Sequence, residues 1–112
     1  MANFSVRSET RGSVVVVTVD GQVDSETAPE FDAALTKIIS AHSKLIVDLK
    51  GVEYMSSAGI RAIVKASHAT EKSGGAVKLA SAPESVNSLM YTVGLNQKIG
   101  MYPTVDEAAA SF

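Results

Sequence analysis

The sequence predicts a single α/β domain, residues 1–112, with a mixed, mostly parallel sheet of about five strands and about four helices. Three observations predict it. Short apolar runs rich in Val, Ile and Leu alternate with segments whose apolar residues recur at helical spacing, the pattern of βαβ units with right-handed crossovers. The first two runs are separated only by a turn, so the opening strand pairs antiparallel at one edge. And 112 residues is the size of one ordinary domain, able to bury about two-thirds of its unfolded surface in one core.

Each element follows from local chemistry. FSVR at 4–7 alternates polar and apolar residues, TRGS at 10–13 has turn composition, and SVVVVTV at 13–19 is the second strand. After GQVD at 21–24 the period changes: Phe31, Leu35, Ile38 and Ile39 share one helix face, and Thr27 and Glu30 have capping-box spacing. A helix is expected over about 27–41. KLIVDLKGV at 44–52 is nearly continuous in apolar character, as in a strand covered on both faces. Ile60, Ile63, Val64 and Ser67 mark one side of a second helix, about 57–72, closed by Ser73-Gly74-Gly75. AVKLAS at 76–81 is the next strand. Pro83 is expected as a first helical residue, Val86, Leu89, Met90 and Val93 form the stripe, and Gly94 ends it. A short strand near 98–102 follows, and Thr104 and Glu107 repeat the capping-box spacing before an alanine-rich helix.

Composition excludes several function classes. Hydrophobic residues make up 46% and charged residues 20%, which suits a soluble globular chain and not a disordered or fibrous one. Ten Lys+Arg against 12 Asp+Glu, dispersed along the chain, form no basic stripe, so direct nucleic-acid binding is disfavoured. The longest uninterrupted apolar run is VVVV at 14–17, and MANFSVRSET lacks signal-peptide character, so no membrane span or secretion is expected. Without cysteine there is no disulfide or thiol catalysis, and cytoplasm is the expected location.

Catalytic readings fare poorly. A serine nucleophile needs a base within hydrogen-bonding reach, and the two histidines are badly placed. His68 lies roughly 16 Å from Ser57 along the same predicted helix. His42 precedes the strand that delivers the serines and lies at its far end, about 20 Å away. MSSAG is not a G-x-S-x-G elbow. Ser73-Gly74-Gly75 follows a helix instead of opening one, so it is a C-cap and not a phosphate loop. No histidine–carboxylate cluster has metal-ligand spacing, and neither cofactor nor metal is expected. Asp20, Asp24 and Asp48 are expected near strand ends on one side of the sheet, with Asp24 read as a turn or cap residue in preference to an acid catalyst.

The most informative stretch is EYMSSAGIR at 53–61. Ser56 and Ser57 fall where a strand ends and a helix begins, so either can cap that helix. Gly59 is expected to bare backbone in the first turn and let another molecule approach. Loops at the carboxyl ends of parallel strands are the usual binding surfaces of open α/β sheets. A phosphate at such a helix start meets unpaired N–H groups and the positive end of the helix dipole, so phosphorylation is expected to leave the fold standing.

The run VDLKGVEYMSSAGI at 47–60, with GQVD upstream and the whole strand–helix order, resembles a STAS domain of the anti-sigma factor antagonist family. The resemblance spans essentially all 112 residues. It implies a non-enzymatic switch: the unphosphorylated domain binds an anti-sigma factor that is also a GHKL-type serine kinase, phosphorylation releases that kinase, and a PP2C-type phosphatase reverses the mark. The family's phosphorylated serine falls on Ser57, with Ser56 as the alternate, and the carboxylate of its G-x-x-D falls on Asp24, expected near the serine. Many members carry Asp where this chain has Ser56, which here removes a negative charge and adds a second hydroxyl. The expected partner surface is Asp24, Ser56, Ser57, Ala58, Gly59 and Arg61, with Arg61 able to meet the phosphate or an acidic partner residue.

Two other functions share these features. A STAS module can serve as an accessory part of a lipid transporter or a stress-sensing assembly, and a nucleotide sensor could use the same helix start. Met90 and Tyr91 are core or contact residues on sequence alone, which leaves a weak homodimer open.

Overall fold

The computed structural model describes residues 3–112. Five strands form one sheet in the order β1-β2-β3-β4-β5, with β1 antiparallel to β2 and every other neighbouring pair parallel. They are β1 (Phe4–Arg11), β2 (Val14–Val23), β3 (Lys44–Met55), β4 (Ala76–Ala80) and β5 (Met101–Tyr102). The helices are α1 (Ala28–Ile39), α2 (Ser57–Lys72), α3 (Glu84–Thr92) and α4 (Val105–Ala110), with a 3-10 turn at Leu95–Gln97. The expected α/β class, mixed sheet and four helices are all present.

The strand order never reverses, so three successive right-handed crossovers lay α1, α2 and α3 on one face of the sheet. Val15, Val17, Val19 and Val23 point to that side and pack with Phe31, Leu35, Ile63, Val86 and Met90. Val14 and Val16 point the other way and join Ile46, Ala80 and Ala108 under α4. This explains VVVV at 14–17: a strand covered on both faces needs no polar alternation. Lys78 secures α4 from β4, donating to the Ser111 carbonyl at 2.8 Å and lying 4.2 Å from the Phe112 ring centroid.

The strands run further than their patterning suggests. β1 extends past residue 7 to Arg11, β2 past 19 through Gly21 and Gln22 to Val23, and β3 past 52 to Met55. Asp20 and Asp48 therefore lie within strands, not at their ends, opposite Gly51 and Thr18. Two register shifts carry extra β3 residues along β2, and Gly51 provides room for the first, since a side chain there would run into the Asp20 carboxylate. Pairing between strands distant in sequence thus overrides the turn composition of GQVD and KGVEY. Beyond Asp48, which pairs with Ala80, β3 has no β4 partner, so its last residues and the start of α2 project past the shorter strands.

Two helix starts also differ from expectation. Thr27 is not a side-chain cap: it is in helical conformation and makes no cap bond. The preceding turn is instead held by Asp24, whose Oδ1 accepts from the Glu26 N–H at 2.9 Å and the Thr27 N–H at 3.1 Å. Pro83 is one position outside α3 because its ψ of 158° is extended. At α4 the expected cap forms, with Thr104 Oγ1 accepting from the Glu107 N–H at 3.1 Å.

Candidate functional site

The site is built where β2 and β3 end together. Val23 pairs with Met55, and the Ser56 N–H donates to the Val23 carbonyl at 2.8 Å, so α2 starts directly beside the chain leaving β2 for α1. Asp24 is the next residue on that chain. Its carboxylate caps the 24–27 turn, a structural role for that acid group. Thr27, buried, locks the same corner: its hydroxyl donates to the Gln22 carbonyl at 2.7 Å and accepts from the Asp24 N–H at 2.9 Å. One chain crossing is therefore pinned by short polar bonds, and this holds the α2 N-terminus in fixed relation to α1.

The two serines have separate jobs. Ser56 is the N-cap, in extended conformation (φ −92°, ψ 175°), with Oγ accepting from the Ala58 N–H at 3.3 Å. Ser57 is the first residue of α2, is exposed, and its hydroxyl has no hydrogen bond among the described residues. The sequence left the cap open between the two; geometry assigns it to Ser56 and leaves the Ser57 Oγ free at the positive end of a sixteen-residue helix.

Gly59 corrects an expectation. It is buried, not bared: a Cβ there would lie 2.6 Å from Val23 Cγ1 and 3.0 Å from Met55 Cγ. The missing side chain lets the first turn of α2 seat against the ends of β2 and β3, a close approach within the molecule and not toward a partner. Ala58 is half-buried and Arg61 exposed, and Arg61 makes no ion pair among the described residues. Both line a shallow groove between α1 and α2, whose α1 wall is Ala28, Pro29 and Asp32. Lys65 closes its far end by pairing with Asp32 at 3.2 Å.

His42 and His68 do not approach the serines. His42 precedes β3, so the whole strand separates it from Ser56, and His68 lies on a different cavity with Glu71 and Lys98. No group of three or more His, Cys, Asp or Glu among the described residues is arranged to hold a metal ion. Tyr54 is a surface feature that sequence reasoning passed over. It is 51% exposed two residues before Ser56, and the signal was an aromatic residue in the motif itself. Tyr91 is likewise exposed while Met90 is fully buried, which divides that pair between surface and core.

The site is thus a solvent-facing serine hydroxyl on the first turn of α2, displayed at the projecting end of a five-stranded mixed sheet. The family model of the STAS domain matches residues 5–108, and the chain belongs to that family. It is 28% identical over 97 residues to the anti-sigma-B factor antagonist of Bacillus subtilis, covering 87% of this chain and 89% of that one. It is 23% identical over 109 residues to the anti-sigma-F factor antagonist RsfB of Mycobacterium tuberculosis, covering 95% and 87%. The crystal structure of an anti-sigma factor antagonist from Mycobacterium paratuberculosis superposes with a TM-score of 0.89 at 25% identity, covering 97% of this chain and 93% of the other.

Proposed function

We propose that this chain is an anti-sigma factor antagonist whose binding to an anti-sigma factor is switched by phosphorylation of Ser57. The observation that carries the proposal is the division of labour between the serines: Ser56 holds the helix cap, so Ser57 can be modified without loss of a structural bond. The relatives' names support the partner class. In its unmodified state the surface around Ser57, Ala58 and Arg61, flanked by Asp24 and Ser56, docks on an anti-sigma factor that is also a GHKL-type serine kinase. Gly59 supports that surface from behind. The Ser57 Oγ attacks the γ-phosphorus of the kinase's ATP, the bond to the β,γ-bridging oxygen breaks to leave ADP, and the hydroxyl proton passes to a base of the kinase. A PP2C-type phosphatase returns the serine by hydrolysis. Such a circuit operates in the cytoplasm, beside the transcription machinery, and no helix among the described residues is long and apolar enough to cross a membrane.

Charge and solvation account for the release. A phosphoserine adds roughly two negative charges to a patch that docking would desolvate. Losses like those at buried charge pairs, about 2–5 kcal/mol, weaken binding by roughly thirty- to several-thousand-fold. At the helix start itself the same charge is favourably placed, so the fold tolerates it.

The test incubates the protein with its candidate kinase and ATP and maps the phosphate by peptide mass spectrometry. Label on Ser57, abolished in Ser57→Ala, is expected. Phosphate on Ser56, or undiminished labelling of Ser57→Ala, overturns the assignment. Ser57→Asp should weaken kinase binding with little change in melting temperature.

A further inference from the structure

Away from the serine site, the sheet has a free edge. Among the described residues β1 is an eight-residue strand paired on one side only, and most of its residues are exposed. Such an edge presents a row of unpaired N–H and C=O groups. Which ones follows from the ladder. The Gln22 N–H donates to the Asn3 carbonyl at 2.7 Å, and antiparallel pairs alternate in bonding, so odd-numbered residues bond to β2. Phe4, Val6, Ser8 and Thr10 therefore direct their backbone groups outward.

We propose that this edge pairs antiparallel with the β1 of a second copy of the chain, about a two-fold axis at Ser8. An isologous contact demands that the strand complement itself. With the axis at Ser8, Ser8 faces Ser8, Val6 faces Thr10, and Arg7 of each copy faces Glu9 of the other. Three of the four outward-bonding positions, Val6, Ser8 and Thr10, then fall in hydrogen-bonded pairs, while Phe4 lies beyond the paired stretch. Neighbouring registers are worse. An axis at Arg7 or Glu9 sets like charges directly opposite, which destabilises a strand pair. An axis at Val6 leaves Arg7 facing Ser5, and one at Thr10 runs into the turn after Arg11.

The flank of the strand fits the same occupant. Along the α1 side of β1 runs an open cavity floored by Val6, Ser8 and Val15 and walled by Ala34, Ile38 and Ala41. An added strand in the Ser8 register would place its own Val6 and Thr10 along it. Arg7 remains available, because its contact with Asp20 is a 3.3 Å pair in which the Arg7 side chain is 71% exposed. Glu9 has no ion pair among the described residues. The contact is small and polar, so the dimer is weak, concentration-dependent and sensitive to salt.

Sedimentation equilibrium at low salt, up to about 1 mM protein, tests this. The wild type should dimerise reversibly. Arg7→Glu and Glu9→Arg should each weaken self-association on the order of tenfold, since each places like charges opposite one another twice. Mixing the two variants should restore association as a heterodimer, because both acidic positions of the first variant then face both basic positions of the second. Circular dichroism confirms that both variants fold. A wild type that stays monomeric to about 1 mM overturns the proposal, as do variants that dimerise undiminished or a mixture that fails to associate.

Discussion

Replacing Gly59 with Ala sets two physical effects against each other, and the structure decides the sign. If the glycine were exposed, alanine would stabilise the first turn of α2 by up to about 1 kcal/mol through helix propensity. The structure instead places the new Cβ 2.6 Å from Val23 Cγ1 and 3.0 Å from Met55 Cγ. Val23 is fully buried and β-branched on a strand, so it has little freedom to yield. Forcing a methyl group into such a contact costs about 1–3 kcal/mol, and after a propensity gain of about 1 kcal/mol the net loss is about 0–2 kcal/mol, centred near 1. A loss of about 1 kcal/mol lowers the melting temperature of a chain near this size by roughly 4–8 °C. Thermal unfolding followed by circular dichroism and denaturant titration measures it. Gly59→Ala combined with Val23→Ala should lose less stability than the two single changes summed, because the second substitution makes the space the first one needs. A Gly59→Ala protein that melts at or above the wild type refutes this account of the close approach.

Other substitutions test the corner around the serines. Ser56→Ala removes the α2 cap and should cost about 1 kcal/mol, whereas Ser57→Ala should stay within about 0.5 kcal/mol of wild type; equal losses would contradict the assigned roles. Asp24→Ala strips two N–H groups of their acceptor and should cost about 1–2 kcal/mol by denaturant titration, a loss that Asp24→Asn, which keeps the acceptor oxygen, should largely avoid. A neutral Asp24→Ala would show that solvent satisfies those groups equally well.

Much of this molecule was legible in order of appearance. The valine run, the stripe at Phe31, Leu35, Ile38 and Ile39, and the stripe of α2 name their elements because periodicity of burial is a local property. The class of site was legible too, since two serines at a strand-to-helix junction advertise a helix start. Less legible were the strand ends. Gly21, Gly51 and Glu53 carry no strand signal of their own, and they lie within strands because β2 and β3 pair across a sequence gap that no local pattern reports.

The sequence by itself determined the α/β class, the order of elements and the presence of a hydroxyl at the start of α2, all consequences of spacing along one chain. Tertiary structure alone decided which serine is the cap, that Asp24 and not Thr27 holds the turn before α1, and that Gly59 faces the core. It also decided which backbone groups of β1 are left open. Each of these depends on which atoms meet across the fold: Ser56 is drawn inward by its bond to Val23, and that contact leaves Ser57 facing solvent.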